Sequence, residues 1–299
     1  KYYKKALDIK PNQVEMQYNL GLVLQGLDKF EESILYYQEV INLDPEYADA
    51  HNNLGISFKE LGQLDDAVNS FENAIKIRPE YAEAYNNIGN TFIELGILNK
   101  AIKNYKFALK IDDGYSEAHN NLGLSLMSLG DLETAILCFE KAIKLNPKFV
   151  DAIFNLAIIH KEMGNKDLSV KNLEQVIELK SDHVNAYRNL SRMRTFKRND
   201  AHIFQMESIL ENEALSQSDS IGLCFALSKA YEDLGDHERM FKFLNQGNSQ
   251  RKLELNYSFD KSLKLHATIK NIFKSPLPII KKNEFKLTNF SPIFILGMP

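Results

Sequence analysis

Ala82-Glu83-Ala84-Tyr85-Asn86-Asn87-Ile88-Gly89-Asn90-Thr91-Phe92-Ile93-Glu94-Leu95-Gly96 decides the fold. Its apolar and small residues recur at helical spacing, and it ends in a Leu-Gly pair suited to stopping a helix. Asn87 has counterparts every 34 residues, at Asn19, Asn53, Asn121, Asn155 and Asn189. Each is followed by an apolar residue and then a small one: Leu20-Gly21, Leu54-Gly55, Ile88-Gly89, Leu122-Gly123, Leu156-Ala157 and Leu190-Ser191. A 34-residue period in a helix-forming chain is the mark of stacked helical hairpins.

Two further markers frame the period. Pro11, Pro45, Pro79 and Pro147 share one register, with Asp113 and Ser181 in the same slot. Proline cannot continue a helix, so these positions mark the turn between hairpins. Leu61-Gly62, Leu95-Gly96, Leu129-Gly130 and Met163-Gly164 fall midway, where glycine accommodates the left-handed end of a first helix. Leu27-Asp28 departs from this pattern. Ala67, Ala101 and Ala135, with Gly55, Gly89 and Gly123, let helix axes approach. Tyr37, Phe71, Tyr105 and Phe139 then read as core aromatics filling the space between layers.

The composition narrows the class. The chain has 299 residues, 44% hydrophobic and 25% charged, with no apolar run long enough for a bilayer span. Cys138 and Cys224 have no paired spacing, which reads as two buried, reduced thiols in a cytoplasmic protein. The seven histidines form no ligand-spaced pair, so no metal site is expected; His51 and His119 share a repeat position two layers apart. Net charge is −4, yet residues 240–299 carry ten Lys or Arg against three acids, leaving the preceding array acidic. An acidic array argues against nucleic acid as a partner. Lys1-Tyr2-Tyr3 enters partway through a repeat, so the reading is that of a fragment.

These markers resemble tetratricopeptide repeats, in layers 14–47, 48–81, 82–115, 116–149 and 150–183, preceded by the second helix of an earlier repeat. The resemblance implies an all-α solenoid of helical hairpins wound as a right-handed superhelix, with the first helices lining its concave face. Residues 1–217 are read as the array, its layer 184–217 degenerate, and residues 218–254 as a capping repeat. A neck and linker occupy 255–290, with one amphipathic helix within 253–275 that begins near Tyr257-Ser-Phe-Asp260 and is ended by Pro276 and Pro278.

By resemblance, Asn19, Asn53, Asn87, Asn121, Asn155 and Asn189 form a ladder on the concave face. An amide offers both a donor and an acceptor and can pair with a peptide unit without reading its side chain. The solenoids of O-linked N-acetylglucosamine transferases are similar in this respect. The residues one before the ladder (Tyr18, Asn52, Asn86, Asn120, Phe154, Arg188) and three after it (Leu22, Ile56, Asn90, Leu124, Ile158, Arg192) bear on the ligand. Repeats that capture a terminal carboxylate need cations among such positions, and layers 14–183 have none at these two. Acids recur instead at Glu15, Asp49, Glu83, Glu117 and Asp151, which favours an extended, neutral or basic peptide.

The final stretch differs in kind. Pro292 to Leu296 is a short β-preferring run followed by Gly297, as in a buried strand turning toward an anion. Phe225-Ala-Leu-Ser-Lys-Ala-Tyr-Glu-Asp-Leu-Gly235, Gly247-Asn248, Tyr257-Ser-Phe-Asp260 and Pro292-Ile-Phe-Ile-Leu-Gly-Met-Pro299 together resemble proteins fusing tetratricopeptide repeats to a sulfotransferase domain. Ser228 departs from the glycine usual there. In that family the last stretch continues as Arg-Ser-Gly-Thr, a loop cradling 3′-phosphoadenosine 5′-phosphosulfate (PAPS), so residues 291–299 would be the first strand and loop stub, with Gly297, Met298 and Pro299 as the cofactor-binding stub. The resemblance implies a PAPS-dependent parent enzyme whose catalytic domain is not in this chain. The alternatives are a stand-alone adaptor and the repeat arm of a glycosyltransferase.

Overall fold

Each full period folds as two antiparallel helices because its apolar positions lie on one face and a left-handed residue separates the two. In the computed structural model, residues 13–212, 214–255 and 259–272 are described. The hairpins are α1 (Val14–Gln25) with α2 (Phe30–Leu43), α3 (Ala48–Glu60) with α4 (Leu64–Ile77), and α5 (Ala82–Glu94) with α6 (Leu98–Ile111). They continue as α7 (Ser116–Ser128) with α8 (Leu132–Leu145), and α9 (Val150–Glu162) with α10 (Lys166–Leu179). The turn glycines at 62, 96, 130 and 164 have φ of 72°, 73°, 81° and 78°. At the first of them the Gln63 N–H reaches back to the Phe58 carbonyl at 2.9 Å, satisfying a carbonyl the helix end would otherwise orphan. Asp28 takes the same role at φ 57°, since aspartate is among the few non-glycine residues that enter this region.

The aromatics sit more locally than between layers. Tyr37, Phe71, Tyr105 and Phe139 are at most 1% exposed, and each lies against the small residue of its own hairpin, at Gly21, Gly55, Gly89 and Gly123. In the next hairpin the small residue is Ala157, and a smaller Leu173 replaces the aromatic. Neighbouring layers complete the packing, so one core runs from Ala67 to Ile159 and another from Ile153 to Phe243.

The shared position of His51 and His119 is structural. His51 Nε2 lies 3.1 Å from the Pro45 carbonyl and His119 Nε2 lies 3.0 Å from that of Asp113. Tyr187 repeats the bond, its hydroxyl donating to the Ser181 carbonyl at 2.9 Å. Each ties a first helix to the turn before it.

Beyond residue 183 the regular layer breaks down. α11 (Val184–Met193) and α12 (Ala201–Leu210) have ten residues each. The segment between them is held by Arg194, which donates to Glu174 at 2.6 Å and also to Asp200. α13 (Gln217–Asp233) and α14 (His237–Glu254) then restore a long hairpin with a left-handed Gly235 between them. α14 runs through Glu254, and a separate α15 spans Phe259–Ile272, inside the 253–275 segment and beginning at the Tyr257-Ser-Phe-Asp260 stretch expected to open it. The partial repeat up to residue 12, the linker after 272, the expected strand at 292–296 and Gly297, Met298 and Pro299 lie outside the described residues.

Candidate binding groove

First helices of successive hairpins approach one another closely enough for side chains to bond across them. The bonds follow one rule. Asn87 Nδ2 donates to Asn52 Oδ1 at 3.1 Å, Asn121 Nδ2 to Asn86 Oδ1 at 3.0 Å, and Asn155 Nδ2 to Asn120 Oδ1 at 3.0 Å. Asn53 Nδ2 donates to the Tyr18 hydroxyl at 2.8 Å. Each ladder amide therefore reaches back 35 residues, to the position one before the ladder in the preceding layer.

That finding changes the role of the flanking row. Asn52, Asn86 and Asn120 do not face a ligand, contrary to the expectation from their place in the repeat; they are 1%, 4% and 6% exposed and serve as acceptors for the next layer. The signal that could have revealed this is the recurrence of a hydrogen-bonding residue 35 positions before each ladder Asn. The signal stops at Phe154, which offers no acceptor and packs on the His183 ring at 4.8 Å. Asn189, deprived of its partner, donates to the Asn185 carbonyl of its own helix at 2.9 Å, and its Oδ1 accepts from Lys161 Nζ at 2.7 Å. Asn19, at the other end, is exposed.

The ladder thus has four equivalent rungs, Asn53, Asn87, Asn121 and Asn155, each half-buried and oriented by a fixed N–H. Among the described residues, the Oδ1 atoms of Asn53, Asn87 and Asn155 accept no hydrogen bond from the protein. Asn121 has a second bond, to Asn90 Oδ1 at 3.1 Å, and Asn90 also accepts from the Tyr105 hydroxyl at 2.7 Å. These residues wall an open pocket of about 310 Å³ between α5 and α7, with Ile93, Leu124 and the Lys59–Glu94 ion pair (3.6 Å) at its sides.

The acidic row is not uniformly free charge. Asp49 receives both guanidinium nitrogens of Arg78 at 2.9 Å and the Tyr81 hydroxyl at 2.7 Å. The Arg78 hydrogen bonds hold its carboxyl below the usual carboxylate range against the opposing effect of burial. Glu117 accepts from Ser116 Oγ at 2.8 Å. Among the described residues no cluster of His, Cys, Asp or Glu is arranged to hold a metal, and no helix is long and apolar enough to cross a membrane.

Comparisons with known proteins agree with this geometry. A TPR repeat family model matches residues 27–62, 57–96 and 89–130, and tetratricopeptide repeat models match 116–149, 138–171 and 221–250. The chain is a tetratricopeptide-repeat protein. The last match falls on the α13–α14 hairpin, where the period resumes in a shifted frame. Among solved structures, the APC/C hetero-tetramer Cut9–Hcn1 is similar with a TM-score of 0.58 and 17% identity, over 82% of this chain and 45% of that one. YrrB, described as a TPR protein with an unusual peptide-binding site, has a TM-score of 0.50 and 20% identity, over 63% of this chain and 97% of its own. TTC0263, a thermophilic TPR protein of Thermus thermophilus, has a TM-score of 0.51 and 18% identity, over 60% and 98%. These likenesses establish the fold. Among curated proteins none matches the chain.

Proposed function

We propose that this chain is a protein-binding scaffold whose groove holds an extended, neutral or basic peptide segment by its backbone. The observation that carries the reading is the row of ladder amides: the Nδ2 groups of Asn53, Asn87 and Asn155 are anchored in the preceding layer, and among the described residues their Oδ1 atoms accept no hydrogen bond and are left for a ligand. Packed helices lie about 8–10 Å apart and an extended chain advances about 3.4 Å per residue, so one acceptor meets roughly every third peptide unit. Each such bond contributes about 0.5–1.5 kcal/mol net, and several together give affinity with little sequence preference.

The test is selection of random dodecapeptides on the full chain, followed by calorimetry of a recovered peptide. Asn87→Ala with Asn121→Ala should weaken its binding about tenfold or more while helical content stays nearly unchanged. Unaltered affinity in the double variant removes the ladder from the site.

The scaffold is further proposed to be the acceptor-recruiting arm of a PAPS-dependent sulfotransferase, with Gly297, Met298 and Pro299 as the start of its phosphosulfate loop. The succession of sequence stretches from Phe225 to Pro299, in the order found in that family, supports that reading. Codons after Pro299 that encode Arg-Ser-Gly-Thr would agree with it; any other continuation favours a stand-alone adaptor using the same groove.

A further inference from the structure

We infer that a niche between α2, α3 and α4, which shares no residue with the ladder, is a docking site for an aromatic side chain of a partner protein.

The same repeat positions meet in each of the three central hairpins. They are apolar residues near the ends of two second helices, the turn before a first helix, the fourth residue of that helix and a residue on the second helix facing it. In α5–α6 a ring fills the niche: Phe107 lies on Tyr85 with ring centroids 5.5 Å apart and planes 28° from parallel. In α7–α8 an ion pair bridges it. Lys141 donates to Asp113 at 2.6 Å, and the same carboxylate lies 3.5 Å from His119 Nε2.

In α3–α4 both devices are absent. Asn73 stands at the place of Phe107 and Lys141, His51 at that of Tyr85 and His119, and Pro45 removes the carboxylate that Asp113 supplies. The result is an open niche of about 370 Å³ walled by Ile41, Pro45, His51, Asn73 and Ile77, with the exposed Glu46 and Lys76 also lining it. Among the described residues, the side chains of Glu46, Asn73 and Lys76 make no hydrogen bond or ion pair with the protein, so nothing there holds the mouth shut. His51 is 8% exposed and tied to the Pro45 carbonyl through Nε2, which makes its ring a fixed surface.

The neighbouring hairpin identifies the occupant. Phe107 shows that an aromatic ring fits against this repeat position, and rings stacked at such distances attract one another beyond the area they bury. A ring entering from solvent has the His51 imidazole to stack on, with Ile41 and Ile77 beside it. A lone ring in so open a niche supports only about millimolar affinity, so the ring acts as one anchor of a wider protein contact.

The probe is a capped Gly-Phe-Gly tripeptide, added at millimolar concentration to the full chain with methyl-labelled isoleucine. Ring currents should move the Ile41 and Ile77 methyl resonances and leave Ile75 and Ile111, whose niche Phe107 occupies, in place. Capped Gly-Leu-Gly should move neither pair. Asn73→Phe supplies the ring from within: it should shift Ile41 and Ile77 without the probe, cancel the response to the peptide and leave the thermal midpoint no lower. Phe107→Asn should make the converse change and open Ile75 and Ile111 to the probe. Asn87→Ala/Asn121→Ala should leave every response intact, which separates the niche from the groove. Selection of random dodecapeptides on that double variant should still enrich an aromatic residue, and adding Asn73→Phe should abolish the enrichment. Static Ile41 and Ile77 methyls at the solubility limit of the probe overturn the site, as does an equal response to the leucine peptide or in Asn73→Phe. Self-association of the wild type that Asn73→Phe abolishes overturns the separate partner in favour of a second copy of this chain.

Discussion

A Cβ added to Gly89 would stand 2.6 Å from Cε1 of Tyr105, so these two residues are complementary halves of a single contact between α5 and α6. The buried ring occupies the space a side chain on the first helix would need. Gly21 with Tyr37, Gly55 with Phe71 and Gly123 with Phe139 repeat the arrangement, with Cβ approaches of 2.6–2.8 Å. Ala157 with Leu173 shows the alternative solution, a larger small residue opposite a smaller large one.

Gly89→Ala should therefore overpack the hairpin and destabilise the protein by about 1–3 kcal/mol. Tyr105→Leu alone leaves a cavity and frees Asn90 of its hydroxyl partner, which also destabilises. The double variant imitates the 157/173 pair and should be more stable than the sum of the single changes implies. Urea denaturation of the four proteins measures the coupling, and simple additivity would contradict the pairing.

Much of this contact is legible in the sequence, because the glycines, aromatics and prolines repeat in register and each has a local backbone or packing cause. The role of Asn52, Asn86 and Asn120 is not. A hydrogen bond between layers depends on the stacking offset, which the 34-residue period alone does not specify. The start of α15 is legible at Tyr257-Ser-Phe-Asp260, whereas the end of α14 carries no glycine or proline signal, since Leu255 closes that helix.

Acid should weaken the fold through two imidazoles. Burial lowers the pKa of both His160 and His183 below the ordinary value near 6.5. His183 also uses neutral Nδ1 to accept the Ala186 N–H at 3.1 Å, capping α11. A depressed folded-state pKa means the unfolded chain takes up protons first as the pH falls. Their stabilisation is therefore complete above about pH 6.5 and is lost as the pH drops through the lowered folded values. The urea midpoint should decline as the pH falls below about 6.5, and His183→Asn, which keeps a capping acceptor but cannot titrate there, should flatten the decline. A profile as steep as that of the wild type would exclude His183 as a source.

Cys138 and Cys224 should be poor nucleophiles in the folded protein. Both are buried, and burial raises both thiols, that of Cys224 to about 11. The thiolate is the reactive form, so near pH 8 an aromatic disulfide reagent should label neither at an appreciable rate until denaturant exposes them. Prompt labelling of the native protein would show that α8 or α13 opens locally.

The offset of 35 residues separates rungs that look identical in sequence. Asn121 bonds Asn86 and Asn90 across the layer boundary, whereas Asn189 faces Phe154 at the corresponding place and bonds only its own helix and Lys161. Removing Asn121 takes the hydrogen-bond donor from Oδ1 of Asn86, a residue only 4% exposed. Asn121→Ala should accordingly cost about 1–2 kcal/mol, and Asn189→Ala no more than about 0.5 kcal/mol, as for a surface change. Chemical denaturation of the two variants decides the matter. Equal losses would mean that the inter-layer bonds add nothing to the stack, and the ladder would then owe its regularity to something other than holding adjacent layers in register.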